Sequence, residues 1–270
     1  MLPWSVITAL PQIVAGAILA ATAWFLSAQS RSERGPLAVI LVLAFMGNIF
    51  FWTAFEQAGS SMNVFAKQAT DRTVWGLLGE GGWGFWGLTA GDGFPASWYQ
   101  SVNPLAILIF APVFAWLWIR LARVGRNPST PMKFAIGLYL LGLAFLAMVF
   151  GAMDARGDGM AGPHWLLITY VVITWGELCL SPVGLSMVTK LAPARLQSLM
   201  MGLWFFSLAL SNLLAGLVAR FSVKVASGDI TFITPGLPGF FLMLVIFPIG
   251  AGVVIMALSP VLKRMMHGIK

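Results

Sequence analysis

Residues Leu37–Ala58 read LAVILVLAFMGNIFFWTAFEQA, an apolar run whose one charged residue is Glu56. An α-helix needs about 20 predominantly apolar residues to cross the hydrocarbon core of a bilayer. This run is long enough, and the chain holds one similar stretch before it and five after it. The sequence therefore predicts a membrane protein in which each of these stretches is a transmembrane helix.

The seven apolar runs together predict an all-α membrane protein with about seven transmembrane helices. Their approximate bounds are Val6–Phe25, Leu37–Ala58, Ser101–Ile119, Phe134–Gly151, Trp165–Val188, Leu199–Ala219 and Phe240–Leu258. Only 9% of the 270 residues are charged, whereas soluble domains carry about 25% charged residues. The sixth run has a small residue at every fourth position, which lets another helix approach closely. These positions are Ser207, Ser211, Ala215 and Ala219.

The basic residues are distributed unevenly between these runs. Eleven of the 16 Lys and Arg residues fall in the odd-numbered connections, and five fall in the even-numbered ones. Because basic residues accumulate in cytoplasmic loops, this bias predicts a multi-pass membrane protein with its N-terminus outside and its C-terminus in the cytoplasm. The basic residues that give the net charge of +7 then serve to orient the protein in the membrane. We therefore expect contact with the lipid bilayer and no binding of nucleic acid. A glycine-rich outer stretch, 76–93, is either functional or mobile, and the sequence leaves both readings open.

Two carboxylates fall inside the apolar runs, Glu56 and Glu177. An ionisable side chain at membrane depth costs at least about 2.5 kcal/mol and usually serves a function. In a medium of low dielectric a carboxyl group can take up and release a proton near neutral pH, and an ionised carboxylate can pair with a cationic substrate. The two residues therefore favour a proton-coupled symporter for a substrate that carries an amine. The structural alternative is a protonated carboxyl group that a neighbouring helix satisfies.

The sequence lacks the signatures of the common enzyme classes. His164 and His267 are isolated, and no His-x-x-x-His pair or other ligand cluster indicates a metal site. Neither a phosphate-binding glycine loop nor a Gly-x-Ser-x-Gly turn occurs. The single cysteine, Cys179, excludes a disulfide within the chain. We therefore expect no enzymatic activity, no metal and no cofactor.

Four motifs stand in order along the chain. They are Phe51-Trp-Thr-Ala-Phe-Glu-Gln-Ala-Gly-Ser-Ser-Met-Asn-Val-Phe-Ala, Trp98-Tyr-Gln-Ser-Val-Asn-Pro-Leu, Glu177-Leu-Cys-Leu-Ser-Pro-Val-Gly-Leu-Ser and Met200-Met-Gly-Leu-Trp-Phe. They resemble the seventh, eighth, tenth and eleventh helices of the proton-dependent oligopeptide transporters, a family of the major facilitator superfamily. The resemblance covers essentially the whole chain. It implies that residues 36–270 form the C-terminal six-helix bundle of that fold, and that residues 1–35 hold an inserted linker helix with its cytoplasmic loop.

The resemblance also implies a function and the residues that serve it. The function is proton-coupled symport of di- and tripeptides, with Glu56 as the proton-coupling carboxylate. Glu177 matches the carboxylate that receives the amino terminus of the peptide, and Asn103 matches a polar residue of the pocket. Trp52 and Trp204 match aromatic residues that line the pocket.

The family's first-helix signature and its fourth-helix lysine do not occur in this chain. Alternating access needs two bundles around a site at the membrane midplane. We therefore expect a missing N-terminal six-helix bundle, from the same gene or from a separate chain, and no peptide transport by this half-transporter alone. Two alternatives stay open: a non-transporting membrane scaffold or accessory remnant of such a transporter, and a homodimer of two halves.

Overall fold

The computed structural model of the chain describes residues 20–73, 93–155 and 159–267. Six helices in these ranges are long and apolar enough to cross a membrane. We label them α1 (Arg31–Gln68), α2 (Ala96–Arg123), α3 (Thr130–Asp154), α4 (His164–Leu191), α5 (Ala194–Ala226) and α6 (Leu237–Met265). They confirm the predicted all-α membrane fold and six of its seven spans. The first predicted span, Val6–Phe25, lies mostly outside the described residues, and so does the glycine-rich stretch 76–93 except for its last residue.

The geometry of α1 changes along its length. The helix is α over Arg31–Val42, π over Leu43–Asn48, α over Ile49–Phe55, 3-10 over Glu56–Gly59 and α over Ser61–Gln68. Such irregular turns inside a long helix often occur at functional sites. The π segment ends at the buried Asn48 and the 3-10 turn begins at Glu56, so each interruption carries a polar side chain at its boundary. In α2 and α5 the irregular turns are terminal, at Ala96–Ser101 and Ala194–Leu196.

The helix α3 packs along α4 and along α6, and it is the most buried helix of the six. Its contact with α4 depends on Gly137 and Gly176. A Cβ atom added at Gly137 would lie 2.9 Å from the carbonyl oxygen of Gly176, and a Cβ added at Gly176 would lie 2.8 Å from the carbonyl oxygen of Gly137. Any larger residue at either position would push the two backbones apart, so glycine permits this close approach.

The helix α5 packs against α1 through the stripe of small residues that the sequence predicts. Ser207, Ser211 and Ala215 are buried there. Asn48 Nδ2 donates to Ser207 Oγ at 2.8 Å, and Gln57 Nε2 donates to the carbonyl oxygen of Ala215 at 3.2 Å. The predicted close helix contact is therefore confirmed, and polar side chains of α1 hold it together.

The helices α2 and α5 leave broad apolar faces exposed. The exposed side chains include Leu105, Leu108, Val113 and Trp116 on α2, and Phe205, Phe206, Leu213 and Leu217 on α5. Since lipid tails are as apolar as leucine, such a face is stable against lipid or against further helices. The described chain is thus a multi-pass membrane bundle with two helices available for additional contacts.

Candidate functional site

The centre of the candidate site is a hydrogen-bonded pair formed by Asn103 and Glu177. Asn103 lies in the first turn of the α-helical part of α2, and Glu177 lies midway along α4. The Asn103 side-chain amide donates to Glu177 Oε2 at 2.9 Å and to Thr174 Oγ1 at 3.0 Å. Next to them, the ring of Trp175 packs edge-on against Phe110 of α2, with 5.3 Å between the ring centroids. We call Asn103 and Glu177 the Asn103–Glu177 pair; both residues keep partial exposure, so the carboxylate is accessible.

Tyr170 connects this pair with the 3-10 turn Glu56–Gly59 of α1. The Tyr170 hydroxyl donates to the carbonyl oxygen of Ala58 at 3.3 Å. The carbonyl oxygen of Tyr170 accepts a hydrogen bond from Thr174 Oγ1 at 2.8 Å, and Thr174 in turn accepts one from Asn103. These contacts join α1, α4 and α2. They form a chain of hydrogen bonds between the segment that carries Glu56 and the segment that carries Glu177.

Glu56 is partly exposed at the start of the 3-10 turn. Within the described ranges its backbone carbonyl accepts a hydrogen bond from Ser60, whereas its carboxylate has no donor. Trp52, one helical turn earlier, packs against Phe55 with ring centroids 4.8 Å apart and edge-on against Phe51 at 5.6 Å. Glu56 therefore comes directly after an aromatic cluster in the chain. Its carboxylate is available to a hydrogen-bond donor or a cation from outside this bundle.

Trp204 has a different environment, inside the bundle. It is 2% exposed, and its ring packs edge-on against Phe134 with centroids 6.1 Å apart. Gly184 of α4 leaves the space that the indole ring occupies. The structure thus gives Trp204 a packing contact between α3, α4 and α5, and its contact with substrate stays a prediction.

Sequence reasoning did not assign a role to Tyr170 or Thr174. Thr174 lies three residues before Glu177, and this helical spacing was an available signal, because such side chains share a face. Tyr170 gives no comparable signal, since its partner Ala58 lies on a different helix. Among residues 20–73, 93–155 and 159–267, no three His, Cys, Asp or Glu side chains come together as metal ligands do.

The sequence model of the POT family matches residues 7–233. Among curated relatives, the uncharacterized transporter YclF of Bacillus subtilis is 37% identical over 239 residues, which are 88% of this chain and 43% of that protein. The peptide transporter YePEPT of Yersinia enterocolitica is 41% identical over 191 residues, which are 70% of this chain and 34% of that protein. The chain therefore spans less than half the length of these relatives.

Solved structures show the same similarity. The crystal structure of the peptide transporter POT in complex with sulfate matches with a TM-score of 0.75 at 30% identity, over 99% of this chain and 49% of that chain. A POT family transporter in complex with a thioalcohol-conjugated peptide matches with a TM-score of 0.74 at 25% identity, over 97% and 49%. These relatives are transporters rather than enzymes, and the predicted resemblance is confirmed. The chain belongs to the POT family.

Proposed function

We propose that this chain is the C-terminal half of a proton-coupled di- and tripeptide symporter of the bacterial inner membrane. The observation that carries the proposal is the hydrogen bond from Asn103 to Glu177, which holds an accessible carboxylate midway along a membrane helix. The names of the relatives support peptide as the substrate class. In this proposal residues 36–270 form the transport bundle and residues 1–35 contribute the linker helix.

Glu177 receives the amino terminus of the peptide. A hydrogen bond between an ammonium group and a carboxylate is roughly twice as strong as one between neutral groups. The Asn103 side chain donates one hydrogen bond to Glu177 Oε2. Because an ionised carboxylate can accept several hydrogen bonds, it can still accept one from the substrate. In this proposal Asn103 orients Glu177, and Trp52 and Trp204 line the pocket. Trp204 also packs against Phe134 of α3 and Gly184 of α4.

Glu56 carries the coupled proton. Its side chain is partly exposed and its carboxylate has no donor among the described residues, so it is available for proton exchange. When it is ionised at membrane depth, it needs a cation as a partner, because an unpaired charge there is costly. We infer that this cation belongs to the N-terminal bundle.

The proposed N-terminal bundle supplies the second half of the transport pathway. Alternating access about a midplane site requires two bundles that move against each other. The exposed apolar faces of α2 and α5 are the surfaces that we assign to this contact. The excess of basic residues in the odd-numbered connections supports a C-terminus in the cytoplasm.

Uptake of a radiolabelled dipeptide into proteoliposomes tests the proposal. Three preparations are compared: the chain alone, the chain fused behind the N-terminal part of YePEPT, and intact YePEPT as the positive control. We expect uptake driven by an inward proton gradient in the second and third preparations only. Uptake by the chain alone would overturn the half-transporter proposal. A well-folded fusion that binds no dipeptide would favour the accessory scaffold.

A further inference from the structure

A cavity of about 500 Å³ lies between α2, α3 and α4, at the end of the bundle where α2 ends and α3 begins. Most of its wall is apolar, with Phe114 and Pro182 as large contributors, and two lysines, Lys133 and Lys190, line it. Lys133 directly precedes the predicted span Phe134–Gly151. In the structure it lies in the first turn of α3 and is 9% exposed. None of the residues assigned to peptide binding or proton coupling lines this cavity.

The Lys133 ammonium lies 4.5 Å from the centroid of the Trp118 ring. This cation–π contact offsets only part of the cost of removing an ammonium group from water. Lys190 also lines this cavity. Because the Lys133 ammonium is buried beside a mostly apolar wall, an anion is the occupant that compensates its charge.

Trp118 gives a second and independent indication of an occupant. Its indole Nε1 is buried and donates to no acceptor in the part of the chain that the structure describes. Buried N–H groups in proteins nearly always have an acceptor. Since Trp118 and Thr130 line the cavity together with Lys133, an anion placed there would meet an ammonium group, an indole N–H and a hydroxyl.

We propose that this cavity binds a phosphate group, with the headgroup of an anionic phospholipid as its source. Trp116 is exposed near the end of α2, where Arg120 and Arg123 follow it, and aromatic and basic residues in this arrangement mark the depth of lipid headgroups. Lysine binds phosphate as a point charge, and basic pockets between membrane helices bind anionic headgroups. The apolar walls accommodate the glycerol and acyl parts of the same lipid.

Native mass spectrometry of the purified chain tests this site. Bound lipid is counted in an uncharged detergent during titration with phosphatidylglycerol and, in parallel, with zwitterionic phosphatidylcholine. We expect Lys133→Gln to weaken retention of phosphatidylglycerol by about fivefold, the contribution of one lysine near a lipid surface. Lys263→Gln is the matched control, because it removes an exposed charge in the last turn of α6 that does not line the cavity, and we expect it to weaken retention less than Lys133→Gln does.

Equal retention of phosphatidylglycerol by the wild type and by Lys133→Gln would overturn the proposal. Trp118→Phe keeps an aromatic wall and removes the N–H donor, so it provides the same test if Lys133→Gln does not fold. Titration with inorganic phosphate distinguishes the sources. Phosphate that binds and displaces the lipid in a Lys133-dependent way supports the oxyanion site and identifies the free ion as its ligand, whereas lipid retention that phosphate does not affect supports the headgroup.

Discussion

Gly137 of α3 and Gly176 of α4 approach each other so closely that each carbonyl oxygen lies within 2.9 Å of the Cβ position of the other glycine. Gly176 directly precedes Glu177 in the sequence. The backbone next to Glu177, the proposed substrate-binding carboxylate, is therefore held in close contact with α3.

A methyl group at this crossing should destabilise the bundle. We expect Gly137→Ala to lower the thermal unfolding temperature of the purified chain by several degrees, because overpacking a close contact costs about 1–3 kcal/mol. The matched control is Gly202→Ala on α5, where nothing lies within 4 Å of an added Cβ, and this variant should unfold at or above the wild-type temperature. An unchanged unfolding temperature in Gly137→Ala would contradict the close crossing.

Glu177→Gln should weaken peptide binding by the assembled transporter. The substitution keeps the shape of the side chain and removes its charge, so the bond to the peptide ammonium becomes one to a neutral acceptor and loses about 1 kcal/mol. The dissociation constant for a dipeptide should therefore rise about fivefold. Glu33→Gln is the control, since Glu33 is paired with Arg195 at 2.6 Å near the start of α1. Unchanged affinity would remove Glu177 from the binding role.

Glu56→Gln should separate exchange from accumulation in the assembled transporter. An amide at this position cannot gain or lose a proton, so a proton gradient can no longer drive uphill uptake. Exchange of external for internal peptide needs no net proton movement and should persist. Counterflow and gradient-driven uptake are measured in the same proteoliposomes. Uphill accumulation that survives the substitution would rule out the coupling role of Glu56.

Tyr170→Phe should weaken the connection between the two carboxylate segments. The variant removes the hydroxyl that donates to Ala58 and keeps the ring. If this contact transmits coupling, the dependence of dipeptide affinity on pH should become shallower, because coupling between sites is typically worth about 1–3 kcal/mol. Tyr139→Phe is the matched control, since the Tyr139 hydroxyl contacts the sulfur of Met256 instead. A pH profile that is identical in Tyr170→Phe and the wild type would show that the contact is structural.

A double-mutant cycle measures the contact between α1 and α5. Asn48→Ala and Ser207→Ala each remove one side of the 2.8 Å hydrogen bond. We expect a coupling free energy of unfolding of about 0.6 kcal/mol, as for other hydrogen bonds between membrane helices. Asn212→Ala tests the background, because the Asn212 side chain is exposed and bonds within its own helix. Strict additivity of Asn48→Ala and Ser207→Ala would argue against the contact.

The helices and the candidate site differ in how far sequence alone predicts them. Hydropathy predicts the described spans because a bilayer demands about 20 apolar residues for each crossing. The helices extend beyond those runs, since polar and basic end residues such as Arg120 continue the helix after the apolar part. The stripe that begins at Ser207 was also predictable, because its period of four is visible in one helix.

Contacts between helices were not predictable in the same way. The family resemblance indicates Asn103 and Glu177 separately, whereas their hydrogen bond depends on how α2 packs against α4. Lys133 shows where sequence-based prediction fails. A charged residue between two apolar runs indicates a loop, whereas Lys133 lies in the first turn of α3. Its burial depends on the neighbouring Trp118 ring, which belongs to a different helix.

Each residue of an α-helix advances the chain by about 100° around the helix axis, so a deletion normally rotates everything that follows it. The hydrogen bonds of the π segment Leu43–Asn48 enclose one residue more than those of an α-turn. Loss of one residue there would restore an ordinary turn and leave Glu56 on its present face. The same loss within Ile49–Phe55 would turn the carboxylate by about 100°. A chain that is one residue shorter in this segment would therefore present the same carboxylate in the same direction.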